Sequence, residues 1–510
     1  MPRPRLDAEA RAFFSTLATA ATMNPFSEAR TALLQRLGPG FARRAWSLDP
    51  QDYALIVEVE RRLALLEQGR TLSLDDFAAE DRDLIGWVFL YQIYHRIVPQ
   101  LDAHIQAQLR TPDTSLAAPA LADALAALER RGFTADEALD HVALAFQLRR
   151  AFHFIVASLI GESAVMRRLQ SQLWNSVFTF DLGTYRRLLT QRMEDFSTLL
   201  IGETGTGKGQ GAAAIGRSGF IPFDPGTRRF ASNFAQTFIA INLSQFTESL
   251  IESELFGHRK GAFTGAIDDH PGVFERCSAH GSLFLDEIGD VSVPTQIKLL
   301  QVLQDRTFLP VGSRKAQRFS GRVIAATNRP LATLRAQGNF RDDFFYRLCS
   351  DVIVVPPLRE RIAQSADELP LLVERLVARM LGGKHPELVD LVMTTLRASL
   401  APDYAWPGNV RELEQVVRSI ILTGHYKGDP LRASAEPAED FAQRMRDGAF
   451  TAYEMLAEYC ALLYRRYGTY EAVAQHARLD RRTAKKYVDE HARAVPAADA
   501  TPASPADASC

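Results

Sequence analysis

Residues 196–208 read Phe196-Ser-Thr-Leu-Leu-Ile-Gly-Glu-Thr-Gly-Thr-Gly-Lys208. A β-rich apolar run ends at Ile201, a glycine-spaced turn follows, and Lys208 opens a helix. That order is the context a P-loop requires. Glycines let successive backbone N–H groups wrap phosphate oxygens, and the start of the following helix adds a partial positive charge. Gly202, Glu203, Thr204, Gly205, Thr206, Gly207, Lys208 and Gly209 are therefore expected to hold a nucleotide, with Lys208 bridging the β- and γ-phosphates of ATP. Gly209 departs from the usual pattern, in which a Ser or Thr hydroxyl reaches magnesium. Gly209 and Gly211 also weaken the first helical turn, each by about 1 kcal/mol relative to alanine.

Working downstream, Ser282-Leu-Phe-Leu-Asp286-Glu287 is an apolar strand closing on two carboxylates. Ligands sit at strand C-termini in open α/β sheets. Asp286 is expected to hold Mg2+, largely through water, and Glu287 to orient and polarise an attacking water. The bland alternative is an acidic cap on the next helix. Thr327-Asn328 follows the apolar run Val323 to Ala326; an amide there can reach the γ-phosphate and the water, or simply form an Asx turn. Phe196 to Ile201, Phe238 to Asn242, Ser282 to Leu285, Arg322 to Thr327 and Val352 to Val355 all read as buried strands between helical stretches. This is the α/β pattern with a parallel sheet.

The chain has 510 residues, 46% hydrophobic content and a net charge of −2, which suggests roughly three or four domains at about 150 residues each. The balance of charge makes no global case for nucleic acid, so any such case is local. The four cysteines (Cys277, Cys349, Cys460, Cys510) form no CxxC or other ligand pair, which fits a reducing cytoplasm and neither a disulfide framework nor a zinc site. Asp7 and Glu9 follow the basic N-terminus at once, unlike a signal peptide. Apolar stretches such as Phe154 to Ile160 fall far short of the roughly 18 residues a bilayer span needs. A soluble, cytoplasmic protein with no membrane partner is expected.

Residues 1–157 read as an all-α N-terminal domain. Its place ahead of an ATPase suggests a regulatory role, and it shows no acidic cluster of the receiver kind. Residues 158–360 hold the α/β core and 361–428 a helical lid. Residues 429–448 read as a linker, 449–493 as a short helical unit and 494–510 as a disordered Ala/Pro/Ser/Asp-rich tail.

Three further features stand out. Gly257-His-Arg-Lys-Gly-Ala-Phe-Thr-Gly-Ala266 holds an aromatic–hydroxyl pair between glycines, inside the nucleotide motifs. Such a segment is too glycine-rich for a regular element but able to flex, and an exposed Phe263 would anchor a partner. Arg341 and Arg347 suit arginine fingers on a neighbour's nucleotide, or surface pairs with Asp342 and Asp343. Trp406-Pro-Gly-Asn-Val-Arg-Glu-Leu413 starts a helix in which Asn409 and Glu412 fit a capping box. Arg411 then lies in the first turn, where the helix dipole disfavours a cation and an anionic partner would compensate.

Taken in order, these motifs resemble the AAA+ domain of sigma-54-dependent bacterial transcription activators, from about Ile160-Gly-Glu-Ser163 to Thr423. Asn242-Leu-Ser, Glu248 to Gly257, Phe284-Leu-Asp-Glu-Ile-Gly-Asp290, Ala325-Ala-Thr-Asn328, Tyr346-Arg-Leu348 and Pro356-Pro-Leu-Arg-Glu-Arg361 all match, and Gly261-Ala-Phe-Thr-Gly-Ala266 is identical to the family's signature loop. The resemblance implies an ATP-driven homo-oligomeric ring, a hexamer. It implies that Gly261, Ala262, Phe263, Thr264, Gly265 and Ala266 contact sigma-54 in the RNA polymerase holoenzyme. Asn242 would couple Glu287 to nucleotide state, Arg341 and Arg347 would act in trans, and Arg411 in cis as the lid sensor. The chain departs from the family at Gly209, where glutamate is usual. Two segments, Asn175 to Glu194 and Gly219 to Gln236, look longer than usual; they would reshape the pocket rim or dock the N-terminal domain.

Thr469 to Ala477, a turn at Arg478-Leu479, and Asp480 to Val488 read as a helix-turn-helix with Asp480 as N-cap. Arg481, Arg482, Thr483, Lys485 and Lys486 on its second helix are the expected contacts to double-stranded DNA at an upstream site. The unit is similar to the Fis-type domain usual at this family's C-terminus. The whole reading is a multidomain activator: an all-α N-terminal domain, an AAA+ P-loop ATPase core with α-helical lid, and a C-terminal helix-turn-helix. Two alternatives stay open: a DNA-bound regulator whose nucleotide site controls assembly only, favoured by Gly209, and a different AAA+ remodelling ATPase.

Overall fold

A computed structural model describes residues 6–38, 41, 54–401, 403–426, 441, 444–446, 448 and 450–494. Most of the expected linker and the expected tail lie outside these residues. The chain forms two compact units: residues 1–393 with 403–422, and residues 394–402 with 423–510.

The first unit is built on a parallel sheet of five strands: β1 (Thr198–Ile201), β2 (Phe238–Asn242), β3 (Ser282–Asp286), β4 (Arg322–Thr327) and β5 (Asp351–Val354). Their order is β2-β3-β4-β1-β5. The strands are apolar runs because helices cover both faces. Register pairs Asn242 with Asp286 and Ile201 with Thr327, so the P-loop, the acidic pair and Asn328 emerge along one edge. The expected strands are found with small shifts. β1 starts at Thr198 rather than Phe196, whose carbonyl instead accepts from Arg322 Nε at 2.8 Å.

The described part of residues 1–157 is helices joined by turns, and the helix Ala135–Ser158 opens with a capping box between Thr134 and Glu137. The outer helices close around Phe14, Leu17, Val59, Leu63 and Phe89. The inner ones do not end in a core of their own. Leu101, Val142, Phe146 and Ile155 lie in one apolar cluster with Ala212 and Ile215 of the P-loop helix (Lys208–Gly216), and with Leu200 and Ile324 of the sheet.

The two additional segments complete this junction. In the first, Tyr185 is buried and its hydroxyl lies 2.7 Å from Gln147 Nε2 of the helix Ala135–Ser158. The second folds into a two-stranded hairpin, Phe223–Asp224 with Arg229–Phe230. Its Arg228 carbonyl accepts from Ala118 N–H at 2.8 Å, and Phe230 stacks on Phe146 with ring centroids 3.9 Å apart. Both segments thus pack against the N-terminal helices.

Across the sheet edge lies the lid, with helices Leu358–Gln364, Glu368–Leu381 and Asn409–Thr423. Its anchor is a buried ion pair, Arg361 with Glu368 at 2.7 Å. Glu368 also accepts from the backbone N–H groups of Glu162 (3.0 Å) and Ser163 (3.2 Å), which satisfies a carboxylate removed from water.

In the second unit the helices Ala452–Tyr467, Tyr470–Ala477 and Arg481–Ala494 pack around Cys460, Val473, Ala484 and Val488. No helix among the described residues is long and apolar enough to cross a membrane.

Candidate functional site

The P-loop carries β1 into its helix across the sheet's carboxyl edge. Gly205 and Gly207 adopt φ of +80° and +102°, where side chains are strained. A Cβ on Gly205 would also strike the Gly408 carbonyl and Arg411 Cβ, so the lid backbone lies directly on the loop. The Lys208 ammonium is largely buried and donates to the carbonyls of Gly202 (2.8 Å) and Glu203 (3.1 Å). Burial lowers its pKa, with Glu287 and Asp286 opposing and Arg411 reinforcing. Burial likewise pushes the Asp286 carboxyl up, against the Glu287 backbone N–H and the charges of Lys208 and Arg411. The charges thus feel one another in a partly desolvated cleft.

Glu287 sits in the left-handed region at φ +56°, an uncommon and strained place for a residue with a side chain. Its Oε2 accepts from Asn328 N–H at 3.3 Å, and Asn328 Nδ2 donates to Thr204 Oγ1 at 2.9 Å. Asn328 therefore links the acidic pair to the P-loop. Asn242 stands beside Asp286 in register, but its Oδ1 is taken by Ser244 N–H and Oγ at 3.0 and 2.8 Å.

The expected capping box at the lid helix is corrected. Glu412 does reach back, but to Gly408 N–H (2.7 Å) and the Tyr404 hydroxyl (2.5 Å). Asn409 is fully buried at φ +53°. Its Nδ2 donates to Glu203 Oε2 and the Thr204 carbonyl, both at 3.1 Å, while its Oδ1 accepts from Leu358 N–H at 2.8 Å. The amide is spent tying lid to P-loop, so it cannot also cap. Arg359 adds a two-pronged pair with Glu203 at 2.9 and 2.5 Å. Sequence reading gave neither Asn409 nor Arg359 a nucleotide-site role, although both lie inside quoted motifs.

Residues 257–266 form a loop on a clamped base. His258 and His270 exchange backbone hydrogen bonds at 3.0 and 2.9 Å, and Arg259 N–H donates to the Val311 carbonyl at 3.0 Å. Above the base, Gly261 and Gly265 take φ of +78° and +102° with open space around them. Phe263 is 42% exposed with its ring edge against His258, centroids 4.8 Å apart. Thr264 is exposed beside it, and Ala266 is buried.

Comparison with known proteins accounts for this combination. The family model "Sigma-54 interaction domain" matches residues 183–354. The chain is 41% identical over 265 residues to the sigma54-dependent transcriptional activator SfnR of Pseudomonas putida, covering 49% of this chain and 67% of that protein. This chain belongs to the sigma-54-dependent transcription activators. It is also 42% identical over 238 residues to the DNA-binding transcriptional regulator NtrC of Azospirillum brasilense, covering 46% of this chain and 45% of NtrC. The match to the nitrogen fixation protein VnfA of Azotobacter vinelandii is 42% over 226 residues, 44% of this chain and 40% of VnfA. The chain thus spans less than half the length of NtrC and VnfA.

For an activator of this family, the remaining candidates fall in separate places. Arg341 pairs with Asp343 at 2.7 Å, and Arg347 donates to the Leu303 carbonyl at 2.8 and 3.0 Å; neither reaches the P-loop of its own chain by a hydrogen bond. Arg411 is exposed in the first turn of the lid helix, and its charge bears on both Lys208 and Asp286. Gly209 is exposed, and a Cβ there would meet only Phe284 Cε1, at 3.9 Å. In the second unit, Asp480 Oδ1 accepts from Thr483 N–H at 3.0 Å, as expected of an N-cap, and Arg481, Arg482, Lys485 and Lys486 are exposed while Thr483 is half-buried. Arg481 pairs with Glu471 at 2.8 Å.

Proposed function

We infer that this activator hydrolyses ATP in a homo-oligomeric ring, a hexamer, to remodel sigma-54 RNA polymerase holoenzyme and open a promoter. One observation carries the reading. The exposed Phe263–Thr264 tip belongs to the same polypeptide run as Asn242, whose register partner is Asp286 of the acidic pair. A change at that pair has a short, packed route to the loop through β2 and the helix Glu248–Phe256.

In this reading the P-loop amides and Lys208 hold the phosphates of ATP. The opposed shifts of Lys208 and Asp286 fit a phosphate and a divalent cation, each of which would favour the charged form. Among the described residues no cluster of three or more His, Cys, Asp or Glu could hold a metal. A magnesium ion at Asp286 would take its other ligands from phosphate and water, as that ion commonly does. Glu287 orients the attacking water for in-line attack on the γ-phosphate, and Asn328 spans the γ-phosphate side and Glu287. Arg341 and Arg347 act on a neighbouring subunit's nucleotide, and Arg411 senses it in cis. The loop 261–266 carries the motion to sigma-54. The helices of residues 449–493 bind upstream double-stranded DNA through Arg481, Arg482, Thr483, Lys485 and Lys486, and the protein works in the cytoplasm.

Gly209 favours a second reading, in which nucleotide controls assembly only. Reconstituted transcription from a sigma-54 promoter decides. Thr264→Ala is expected to keep ATP turnover and lose open-complex formation. Open complexes formed at the wild-type rate by Thr264→Ala would refute the remodelling role of the loop.

A further inference from the structure

A cavity of about 330 Å3 lies at the amino-terminal end of the sheet, opposite the P-loop edge. Its volume is at the low end of ligand sites, about 300–1,000 Å3. It is walled by Gln147 from the N-terminal helices, Tyr185 and Glu194 from the first additional segment, and Ser218 just past the P-loop helix, with His280, Ser320 and Arg322.

Two of these groups have donors to spare. Arg322 is 8% exposed. Its Nε donates to the Phe196 carbonyl at 2.8 Å, and its Nη2 to Ser176 Oγ and Thr198 Oγ1, both at 2.9 Å. A guanidinium has five N–H donors, and the two on Nη1 make no hydrogen bond within the protein. Among the described residues no carboxylate stands within ion-pair distance. Asp351 acts on Arg322 only from farther off, against the burial that pulls its pKa down to about 10. His280, half-buried, has no hydrogen bond from either ring nitrogen, and burial holds it toward the neutral form. Asp351, which shares Ser176 with Arg322, is its counter-charge at longer range, so what the cavity offers a ligand is the pair of unspent Nη1 donors.

We propose that this cavity binds a small organic carboxylate, which receives the free donors of Arg322 and His280. The site touches Ile215 and Ser218 at the end of the P-loop helix, and the first residues of β3 and β4, whose far ends carry Asp286 and Thr327. Occupancy is therefore coupled to the nucleotide end, and by linkage nucleotide changes carboxylate affinity by the same factor. That coupling rests on the nucleotide reading; binding itself does not.

The test is a titration of the full chain with succinate and with benzoate, with succinamide and benzamide as uncharged controls, in saturating ADP so that the P-loop is filled. At least one carboxylate is expected to bind saturably, its amide not. Ser320→Trp puts bulk into the cavity, and among the described residues the Ser320 hydroxyl makes no hydrogen bond that would be lost. It is expected to weaken carboxylate binding at least tenfold, with circular dichroism and melting temperature reporting an intact fold; Arg322→Gln is expected to do the same. No binding of either carboxylate, or equal binding by folded Ser320→Trp, would overturn the proposal. Failure of ADP to bind would strike the nucleotide reading alone, since the comparison of wild type with Ser320→Trp decides the cavity either way.

Discussion

The two ends of the P-loop helix, Lys208–Gly216, are built on opposite terms. At its start no side chain of the N-cap residue, Gly207, caps the backbone N–H groups. Gly207 sits at φ +102°, Gly209 is exposed, and Lys208 is held by its own loop's carbonyls. Just past its end the backbone carbonyls are already satisfied. Arg150, fully buried, donates to the carbonyls of Arg217 (2.7 Å) and Gly219 (2.6 Å), and Gln147 Nε2 donates to that of Ser218 (2.9 Å). A cation is favoured at a helix C-terminus, and here it comes from the N-terminal helices. One end is poised to receive charge and the other is fixed by the protein's own charge. The N-terminal layer is thus packed against the scaffold of the P-loop, and the regulatory role proposed for it would act through a packed contact rather than by release of a tethered domain.

The harshest way to break this contrast is to remove residues 1–157. The remaining chain would expose the apolar surface that Phe146, Val142 and Ile155 now cover. The expected product is an aggregated fragment with no cooperative melt. A soluble, cooperatively melting fragment with ATPase activity would show that the layer is dispensable. Glu287→Ala strikes the other end. Turnover is expected to fall about 10²–10⁴-fold while ADP binding and the melting temperature hold, measured by steady-state hydrolysis and calorimetry.

Arg150→Met sharpens the comparison without deleting anything. It leaves two buried carbonyls short of a donor, and the expected loss in urea unfolding is about 2–4 kcal/mol. Acid should act on the same side. His95 is held down to about 3, by burial and then the charges of Arg30 and Arg149. His141, whose ring meets Arg186 at 3.0 Å, is held down to about 4, by burial and then Arg186. Both folded values lie below the unfolded one, about 6.5, so the unfolded chain takes up protons first. Their contribution is present above pH ~6.5 and is lost as pH falls from there toward 4, with a slope approaching about 1.4 kcal/mol per pH unit for each proton. Unfolding free energies between pH 7 and 4.5 check this; a flat profile would contradict it. The smallest effect is at the open end: Gly209→Ala, with only Phe284 nearby, is expected to add about 0.5–1 kcal/mol of stability.

The same contrast explains what could be read without coordinates. The open end is written in short motifs whose residue types follow from phosphate chemistry, so Gly202 to Lys208, Asp286-Glu287 and the strands beneath them were visible as a pattern. The exposed Phe263 was visible for the same reason, since glycines on both sides exclude a regular element. The closed end has no such grammar. Arg150 is one arginine among several on a helix, and nothing local says that it is buried against a helix end more than 60 residues away in the chain. The two additional segments stood out by length alone, because docking depends on shape and not on a motif. Asn409 was misjudged because Asn followed by Glu three residues later fits a cap; its left-handed backbone, which turns the amide toward the P-loop instead, is a product of the tertiary contact.

The most direct test of the account is capture of purified sigma-54 by the full chain with ADP–aluminium fluoride as transition-state mimic, beside Thr264→Ala. The account requires a stable complex with the wild type and none with Thr264→Ala. A wild-type chain that hydrolyses ATP yet captures no sigma-54 in the trapped state would contradict it.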